Sequence, residues 1–370
     1  MQGFDFQFPA VRGIQAGREF YVAMCPLAVI PKVFAPDESS QRAHERGQRL
    51  LNKARVPQLA RFLLENPGDY AFSAITACID GSAEFEPIGQ ERDWELGRLR
   101  VPVSANLLIT DGQHRWRAIC EALRQEPSLA NETVPVVLYL DEGLERRQQI
   151  FADLNMHGVR PTRSLGILYD HRDPLAALAR TLADEVPLFA DRTEVERTTI
   201  SNRSVNLFTL SAIYQATAAL LGKREGDDVD EADYRVARKF WQVLGEVIPE
   251  WAAVIADEAK PWELRAEYVH AHGVVLQALG AAGHQLLAEA DDWEDRLRSD
   301  SMVKIDWSRS SQQLWEGRAL SNGRVSKARK HVALTASYVK QRLGLQLTPH
   351  DLRLEDELTQ SRASSDNQAA

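Results

Sequence analysis

The chain has 370 residues, of which 44% are apolar, and a formal net charge of −9. This length exceeds one ordinary hydrophobic core, so about two domains are expected, each able to bury a core of its own. The acidic balance gives no overall attraction to nucleic acid, so DNA binding would need local basic patches. Because the apolar runs are too short for a bilayer and no signal peptide is evident, we expect a cytoplasmic protein without a membrane partner.

The cysteines Cys25, Cys78 and Cys120 are widely spaced and contain no C-x-x-C pair. Their odd number and spacing argue against a disulfide framework and against a structural zinc site, so small buried side chains are expected. His270 and His272 are two residues apart and would not share a helix face as metal ligands do. No metal site is therefore predicted.

The first part of the chain predicts a strand from Phe20 to Ile30, interrupted at Pro26. Residues 40–65 have a helical pattern that is split near Val56-Pro57, since proline suits a first helical turn. Basic residues dominate this stretch, which makes it a candidate phosphate-facing surface, with a solvated helix face as the alternative. The candidate DNA-contacting residues here are Arg46, Arg49 and Lys53.

The next stretch predicts several strands. Tyr70 to Ile79 alternates in polarity, and Asp80-Gly81 predicts a turn into Ala83 to Pro87, which together indicate a hairpin. Two further short strands are expected between Leu99 and Ile109, and a buried strand from Val134 to Leu140. Strands mixed with helices predict an α/β domain over residues 1–172.

The segment that organises this domain is Asn106 to Cys120, in which a short apolar run is broken at Thr110-Asp111-Gly112 and followed by helical spacing of apolar residues. Strand, tight turn and helix are therefore expected. A glycine in such a turn lets the backbone approach a ligand, and a helix N-terminus favours an anion. Asp111 would cap the helix, orient Arg115 or accept from a sugar hydroxyl. The candidate phosphate-binding residues are Asp111, Gly112, Gln113, His114 and Arg115.

A second polar constellation follows on a predicted helix from Glu145 to Asn155, whose residues Ile150, Phe151 and Leu154 would face the core. Asp153 and Asn155 could hold a base or ribose, or serve as ordinary helix-surface and C-cap residues. The loop beyond Gly158 carries two arginines beside a helix start at Thr162 or Ser164, which suits phosphate binding. Those arginines are Arg160 and Arg163.

From residue 173 to 350 the pattern is mostly helical, with helices expected at 174–185, 207–221, 231–248 and 261–279. Tryptophans at irregular spacing in this region predict a helix-packing core. The loop from Arg192 to Asn206 is rich in polar and basic residues, so it could contact a phosphate backbone or be a capped surface loop. The DNA-contacting candidates in this loop include Arg197 and Arg203.

Residues 317–350 contain seven basic residues from Arg318 to Arg342 and no Asp or Glu until 351. Two helices fit around 325–342, and a helix with this charge can dock on a DNA backbone. The alternative is a solvated face balanced by Glu355, Asp356 and Glu357. Residues 351–370 are expected to form a polar tail, disordered at its end. The DNA-contacting candidates here are Arg324, Lys327, Arg329 and Lys330.

The string from Asp111 to Arg115 resembles the signature of DGQHR-domain proteins, and Gln149 to Leu165 resembles the F-x-D-x-N helix and following loop of the DndB family of DNA phosphorothioate modification (dnd) systems. The resemblance covers most of the chain. It implies a ParB/sulfiredoxin-like mixed-sheet α/β (α+β) domain followed by a mostly helical domain. It also implies a transcriptional repressor that binds the promoter region of the dnd modification genes.

Three functions can be compared on this basis. A DNA-binding regulator agrees with the basic segments, and its candidate partners are double-stranded promoter DNA, a second copy in a homodimer and other dnd proteins. A nucleotide switch or NTPase would clamp phosphates with Arg115, Arg117 and Arg160, and its candidate cofactor is a nucleoside triphosphate with magnesium. Sulfiredoxin-like redox chemistry is excluded because Gln113 occupies the place of the nucleophilic cysteine. A nucleotide-responsive DNA-binding regulator is the resulting prediction, with turnover left open.

Overall fold

A computed structural model describes residues 5–35, 53–89, 94–156, 161–201 and 203–369 of the chain. The chain folds as two compact units, Met1–Val159 and Arg160–Ala370. The predicted fold class, a mixed α/β sheet domain followed by a mostly helical one, is confirmed. Among the described residues, no helix has the length and apolarity that crossing a membrane requires.

The first unit is built on a mixed eight-stranded sheet with the order β3-β7-β4-β8-β2-β1-β6-β5. The pairs β4–β8 and β3–β7 are parallel, and the other neighbouring pairs are antiparallel. The central position of β4 explains why it is buried along almost its whole length. The strands are β1 (Asp5–Gln15), β2 (Arg18–Pro26), β3 (Phe34–Ala35), β4 (Ile75–Asp80), β5 (Glu84–Pro87), β6 (Leu96–Pro102), β7 (Asn106–Asp111) and β8 (Thr133–Leu140).

Helices accompany this sheet in the first unit. Leu63 and Ile119, both fully buried, share one apolar core with strand residues such as Ile79 and Val136, so α2 and α3 are held against the sheet by burial of their apolar faces. Pro57 lies in the first turn of α2, as its fixed φ angle favours. The helices are α1 (Ile30–Val33), α2 (Val56–Glu65), α3 (Gln113–Gln125) and α4 (Leu144–Met156).

The predicted hairpin around Asp80-Gly81 is wrong. The strand begins only at Ile75, and it pairs with β7 and β8 instead of with its sequence neighbour β5. β5 pairs with β6 at the other edge of the sheet. Turn chemistry marked the end of the strand correctly, since β4 ends at Asp80, but strand pairing is decided by which buried faces match over long sequence separations.

The second unit is helical and is stabilised by one large core in which Trp241, Trp251, Trp307 and Trp315 are almost fully buried. Short strand pairs, β9 (Thr193–Glu194) with β10 (Phe208–Thr209) and β11 (Leu320–Ser321) with β12 (Arg324–Val325), connect the helices. The helices are α5 (Arg163–Tyr169), α6 (Pro174–Glu185), α7 (Leu210–Leu221), α8 (Glu231–Val247), α9 (Pro249–Ile255), α10 (Pro261–Glu267), α11 (Gly273–Glu289), α12 (Trp293–Leu297), α13 (Asp300–Val303), α14 (Gln312–Trp315), α15 (Arg329–Arg342) and α16 (Pro349–Ala369).

Three features differ from the sequence-based expectations: the start of this unit, the stretch 325–342 and the end of the chain. The units divide between 159 and 160 and not after 172, because Ile167 of α5 is buried in the helical core. The stretch 325–342 contains one helix, α15, preceded by the short strand β12. The polar end of the chain forms the helix α16, in which Asp351 and Leu358 are buried.

The predicted single helix from 261 to 279 is two helices, α10 and α11, separated at 268–272. Tyr268 forms an isolated β-bridge with Ser308, and His270 is completely buried beside Glu250, Trp251 and Trp307. These long-range contacts override the helical periodicity of the local sequence. A helix N-terminus is therefore created at Gly273 in the middle of the unit.

Candidate functional site

The organising segment folds as strand, turn and helix, as the sequence predicts. β7 ends at Asp111, Gly112 has a φ angle of 97°, and α3 begins at Gln113. Glycine adopts this left-handed conformation without the strain that a Cβ would cause. A Cβ built at position 112 would also lie 3.0 Å from Nη2 of Arg115. The backbone conformation thus requires glycine here, and the space for a Cβ is tight.

Asp111 and Arg115 form an ion pair within this turn. Nη2 of Arg115 lies 2.7 Å from Oδ2 of Asp111 and 3.0 Å from the carbonyl oxygen of Ala74. No side chain caps α3, whose N-cap residue is Gly112. Of the roles that the sequence left open for Asp111, the structure therefore has it orienting Arg115. The guanidinium is held against the turn by two acceptors, and its buried Nε has no hydrogen-bond partner in the described part of the chain.

A cavity of about 290 Å³ opens at this turn. We call residues Asp111 to Arg115 the DGQHR turn and the cavity the DGQHR cavity. The five residues from Asp111 to Arg115 all line it, together with Thr110 and Arg55. Part of its wall is aromatic, since Phe62, Phe72 and Phe151 line it, and Phe62 and Phe72 stack with their ring centroids 6.2 Å apart. The site thus combines an uncapped helix N-terminus and cations with a flat apolar wall. This combination can accept a phosphate at the helix N-terminus and an aromatic group against the aromatic side chains.

Three other residues predicted for this site do not line the cavity. Arg117 is exposed on α3 and lies 5.8 Å from the ring centroid of Trp116. Asp153 is exposed and accepts a hydrogen bond from Gln149, while Asn155 donates to the carbonyl oxygen of Phe151. The residue of α4 that lines the cavity is therefore Phe151. Leu154, expected to face the core, is exposed.

The predicted phosphate loop is divided between described and undescribed residues. Arg160 lies outside the described residues, and Arg163 is exposed in the second unit, 5.9 Å from the ring centroid of Tyr214. Thr162 is the N-cap of α5 and accepts a hydrogen bond from the backbone N–H of Leu165, which selects it over Ser164 as the helix start. Ser164 is buried and donates to the carbonyl oxygen of Arg197.

The DNA-contacting candidates of the first unit fall mostly on residues that are not described. Arg46 and Arg49 lie outside the described residues. Lys53 begins a short 3₁₀ helix that leads into α2. Arg55, at the end of the same 3₁₀ helix, is exposed and lines the cavity at the DGQHR turn. The basic composition of this stretch was visible in sequence, but its relation to that cavity was not.

The candidates of the second unit are exposed cations. Arg197 and Arg203 lie in the loop before β10, Arg324 lies in β12, and Arg329 begins α15. Within the described chain these four arginine side chains form no ion pair. Lys327 lines a second cavity and also lacks an ion-pair partner there. By contrast, Lys330 is paired with Glu357, with 2.9 Å between nitrogen and oxygen.

Helix α16 neutralises part of the basic segment 317–350. Its carboxylates pair with three of the cations, in the pairs Arg318–Glu355, Lys330–Glu357 and Lys340–Asp351. Arg318 binds Glu355 through both of its terminal nitrogens. The segment is thus divided, with one set of cations stabilising the packing of α16 and another set left exposed. Balancing by Glu355 and Glu357 is therefore observed for Arg318 and Lys330, whereas Lys340 is balanced by Asp351 instead.

Several residues of these cavities had no signal in the sequence. Phe62 and Phe72 become neighbours only because α2 packs beside the segment that precedes β4. Two residues that line the second cavity lie far apart in the sequence, Arg265 in α10 and Arg309 between α13 and α14. Periodicity could identify the elements that carry them, but not the cavities that they share.

A family model named DndB, described as DNA-sulfur modification-associated, matches residues 8–346. The chain belongs to the DndB family. The match includes the DGQHR turn and the F-x-D-x-N helix on which the resemblance was based, and membership of the DndB family associates the chain with DNA sulfur modification systems. No curated protein and no solved structure matches the chain.

Proposed function

We propose that this DndB-family chain is a DNA-binding transcriptional regulator, a repressor of the DNA phosphorothioate modification genes. The observation that carries the proposal is the set of exposed arginines in the second unit that have no carboxylate partner in its described part. Other cations of the segment 317–350 are paired with carboxylates of α16. The unpaired arginines are therefore a distinct subset of the cations and remain available to an external anion. The set comprises Arg197, Arg203, Arg324 and Arg329.

Exposed guanidinium groups suit phosphate oxygens because they present several donors in a planar fork. Each phosphate that a cation neutralises releases counterions, which makes affinity fall with salt concentration. The overall charge of −9 opposes DNA, so a local set of cations must supply the attraction. Sequence preference would have to come from base contacts or DNA shape in addition.

The test is DNA binding by the purified chain across a salt series, with its own operon's promoter and with scrambled DNA of equal length. The double variant Arg324→Ala/Arg329→Ala should bind more weakly and lower the slope of log affinity against log salt by about two. Lys304→Ala is the matched control, since Lys304 is an exposed cation of the same unit paired with Asp300. An unchanged slope in the double variant contradicts the assigned surface, and equal affinity for scrambled DNA contradicts a repressor.

The DGQHR cavity is proposed to make this regulator responsive to a nucleotide. The phosphate would lie at the N-terminus of α3 beside Arg115, and the base against Phe62 and Phe72. Arg115→Ala should abolish nucleotide binding at this cavity, measured by calorimetry with ATP and CTP in the presence of magnesium as the loss of one binding site. Arg117→Ala is the matched control, since Arg117 is on the same helix but does not line the cavity. An unchanged number of nucleotide sites with unchanged affinities in Arg115→Ala would refute this assignment.

Nucleotide hydrolysis is the second candidate, because Asp111 is a carboxylate that lines the cavity. Such a group can hold magnesium or orient the attacking water. Asp111→Asn keeps the size of the side chain and should stop phosphate release while nucleotide is still bound. If the unsubstituted chain binds nucleotide without releasing phosphate, the site is a switch and not an NTPase site.

A further inference from the structure

A second and larger cavity, of about 840 Å³, lies entirely within the helical unit. It opens where α7 and α11 begin, and Thr209 and Gly273 of these helix starts line it. A Cβ built on Gly273 would lie 3.0 Å from Cβ of Ala212, so the first turns of the two helices are in close contact. Both helix dipoles therefore present their positive ends at one place. This volume is in the range of cavities that bind small molecules.

The start of α11 has no side-chain cap. His272 is its N-cap residue, but its ring nitrogen interacts with the carbonyl oxygen of Arg265 and not with the helix. α11 has 17 residues, so it has a full macrodipole. Its first residue, Gly273, is a glycine and lines the cavity.

Three cations line the same cavity and none is paired with a carboxylate of the described chain. Arg265 is only 8% exposed and donates to the carbonyl oxygens of Ser201, Ser204 and Asn206. Arg309 donates to two carbonyl oxygens, those of Ala266 and Gly323. Lys327 has no hydrogen-bond partner among the described residues. No Asp or Glu of the described chain lines the cavity.

This arrangement is electrostatically unfavourable as it stands. A Cβ built on Gly273 would lie 3.5 Å from Nζ of Lys327, so an ammonium group lies close to the positive end of α11, where a cation is disfavoured. Burial, with the charges of Arg309, Arg265 and Lys327, lowers the pKa of His272 to about 4. Desolvation also lowers the pKa of Lys327. An anion in the cavity would remove this repulsion.

The remaining wall of the cavity is apolar. Phe208 is buried, Trp262 is half-buried at the start of α10, and Val325 lies on β12. Flat aromatic surface beside converging cations suits a ligand that carries a phosphate on an aromatic or apolar body. The hydroxyl-bearing residues Thr198 and Thr199 also line the cavity and add polar groups.

We infer that this cavity is a binding site for a phosphorylated small molecule of nucleotide size. Its phosphate contacts Arg309, Lys327 and the N-terminus of α11, and its base or other apolar part lies against Trp262 and Phe208. The site is separate from the DGQHR cavity, which belongs to the first unit. The inference goes beyond DNA binding and does not depend on it, since the ligand binds in the absence of DNA.

The test is calorimetric titration of the full chain carrying Arg115→Ala, which silences the DGQHR cavity, with pyrophosphate, ATP and adenosine at low salt. Pyrophosphate and ATP should bind at one site, and adenosine much more weakly. Adding Lys327→Ala or Arg309→Ala should lower the affinity for both pyrophosphate and ATP by about ten- to hundredfold, as expected for the loss of a charged hydrogen bond. Adding Trp262→Ala should lower the affinity for ATP and leave the affinity for pyrophosphate unchanged.

Lys304→Ala again serves as the control and should change affinity less than twofold. Lys327→Ala is the deciding variant, because its side chain has no described hydrogen bond to lose and its folding should be unaffected. The inference is overturned if the Arg115→Ala chain does not bind pyrophosphate or ATP saturably, or if Lys327→Ala leaves both affinities unchanged. It is also overturned if Lys327→Ala lowers DNA affinity alone, which would assign the cations to the DNA backbone.

Discussion

The buried ion pair between Lys340 and Asp351 supports a sharp prediction about the end of the chain. Nζ of Lys340 lies 2.8 Å from Oδ2 of Asp351, and the two side chains are 11% and 7% exposed. Asp351 also accepts a hydrogen bond from the backbone N–H of Thr348. The pair joins the first turn of α16 to α15. Asp351→Ala should therefore do more than disturb a polar tail.

The expected cost of Asp351→Ala is about 3–5 kcal/mol of unfolding free energy, because it leaves the ammonium of Lys340 buried without a counter-charge. Replacing both residues, as in Lys340→Met/Asp351→Leu, should recover most of this loss, since no charge is then buried. Urea unfolding at pH 7 of the unsubstituted chain and both variants measures these values. A cost below about 1 kcal/mol for Asp351→Ala would show that α16 does not pack as described.

The pH dependence of the same pair follows from the pKa of Asp351. Burial alone would raise this pKa, but hydrogen bonds from Lys340 and Thr348 outweigh burial and lower it below its ordinary value. A carboxyl whose pKa is lower in the folded state contributes stability above its unfolded pKa of about 3.9 and loses it as pH falls through the folded value. The stability difference between the unsubstituted chain and Asp351→Asn should thus shrink below about pH 4. A constant difference down to pH 2 would contradict the pairing.

Other predictions concern packing and reactivity. Gly280→Ala should destabilise the helical unit by about 1–3 kcal/mol in thermal unfolding, since its Cβ would lie 2.1 Å from the carbonyl oxygen of Ala216. Gly166→Ala is the control at an open helical position, and it should stabilise the chain by up to about 1 kcal/mol in the same assay. Gly112→Ala should weaken nucleotide binding in calorimetry because of its φ angle of 97°. Burial raises the pKa of Cys25 to about 12, so iodoacetamide should label it only after unfolding, as mass spectrometry would detect.

Local sequence features predicted the turn at Gly112 and many of the surrounding elements. A left-handed glycine between an apolar run and a helical pattern needs only neighbouring residues to form, and the observed φ angle agrees with it. The strand at 133–140 and the helix at 174–185 were predictable for the same reason. The burial of all three cysteines was likewise expected, because free cysteine behaves as a small hydrophobic side chain.

Long-range pairings could not be predicted in this way. The turn after Asp80 suggested a hairpin, yet β4 pairs with β7 and β8, which lie later in the chain. Likewise, the helical periodicity of 261–279 gave no indication that His270 would be drawn into a core of tryptophans and break the helix. That break produces the N-terminus of α11 and with it the second cavity.

The sequence by itself determined the family, the mixed α/β and helical halves, and the strand–turn–helix of the DGQHR motif, because each depends on residues that are close along the chain. Only the tertiary structure decided which cations remain exposed and which pair with α16. It also decided that Arg265, Arg309 and Lys327 converge on one cavity. The reason is physical: a charge acts on whatever lies within a few ångströms, and in this fold those neighbours come from distant parts of the chain.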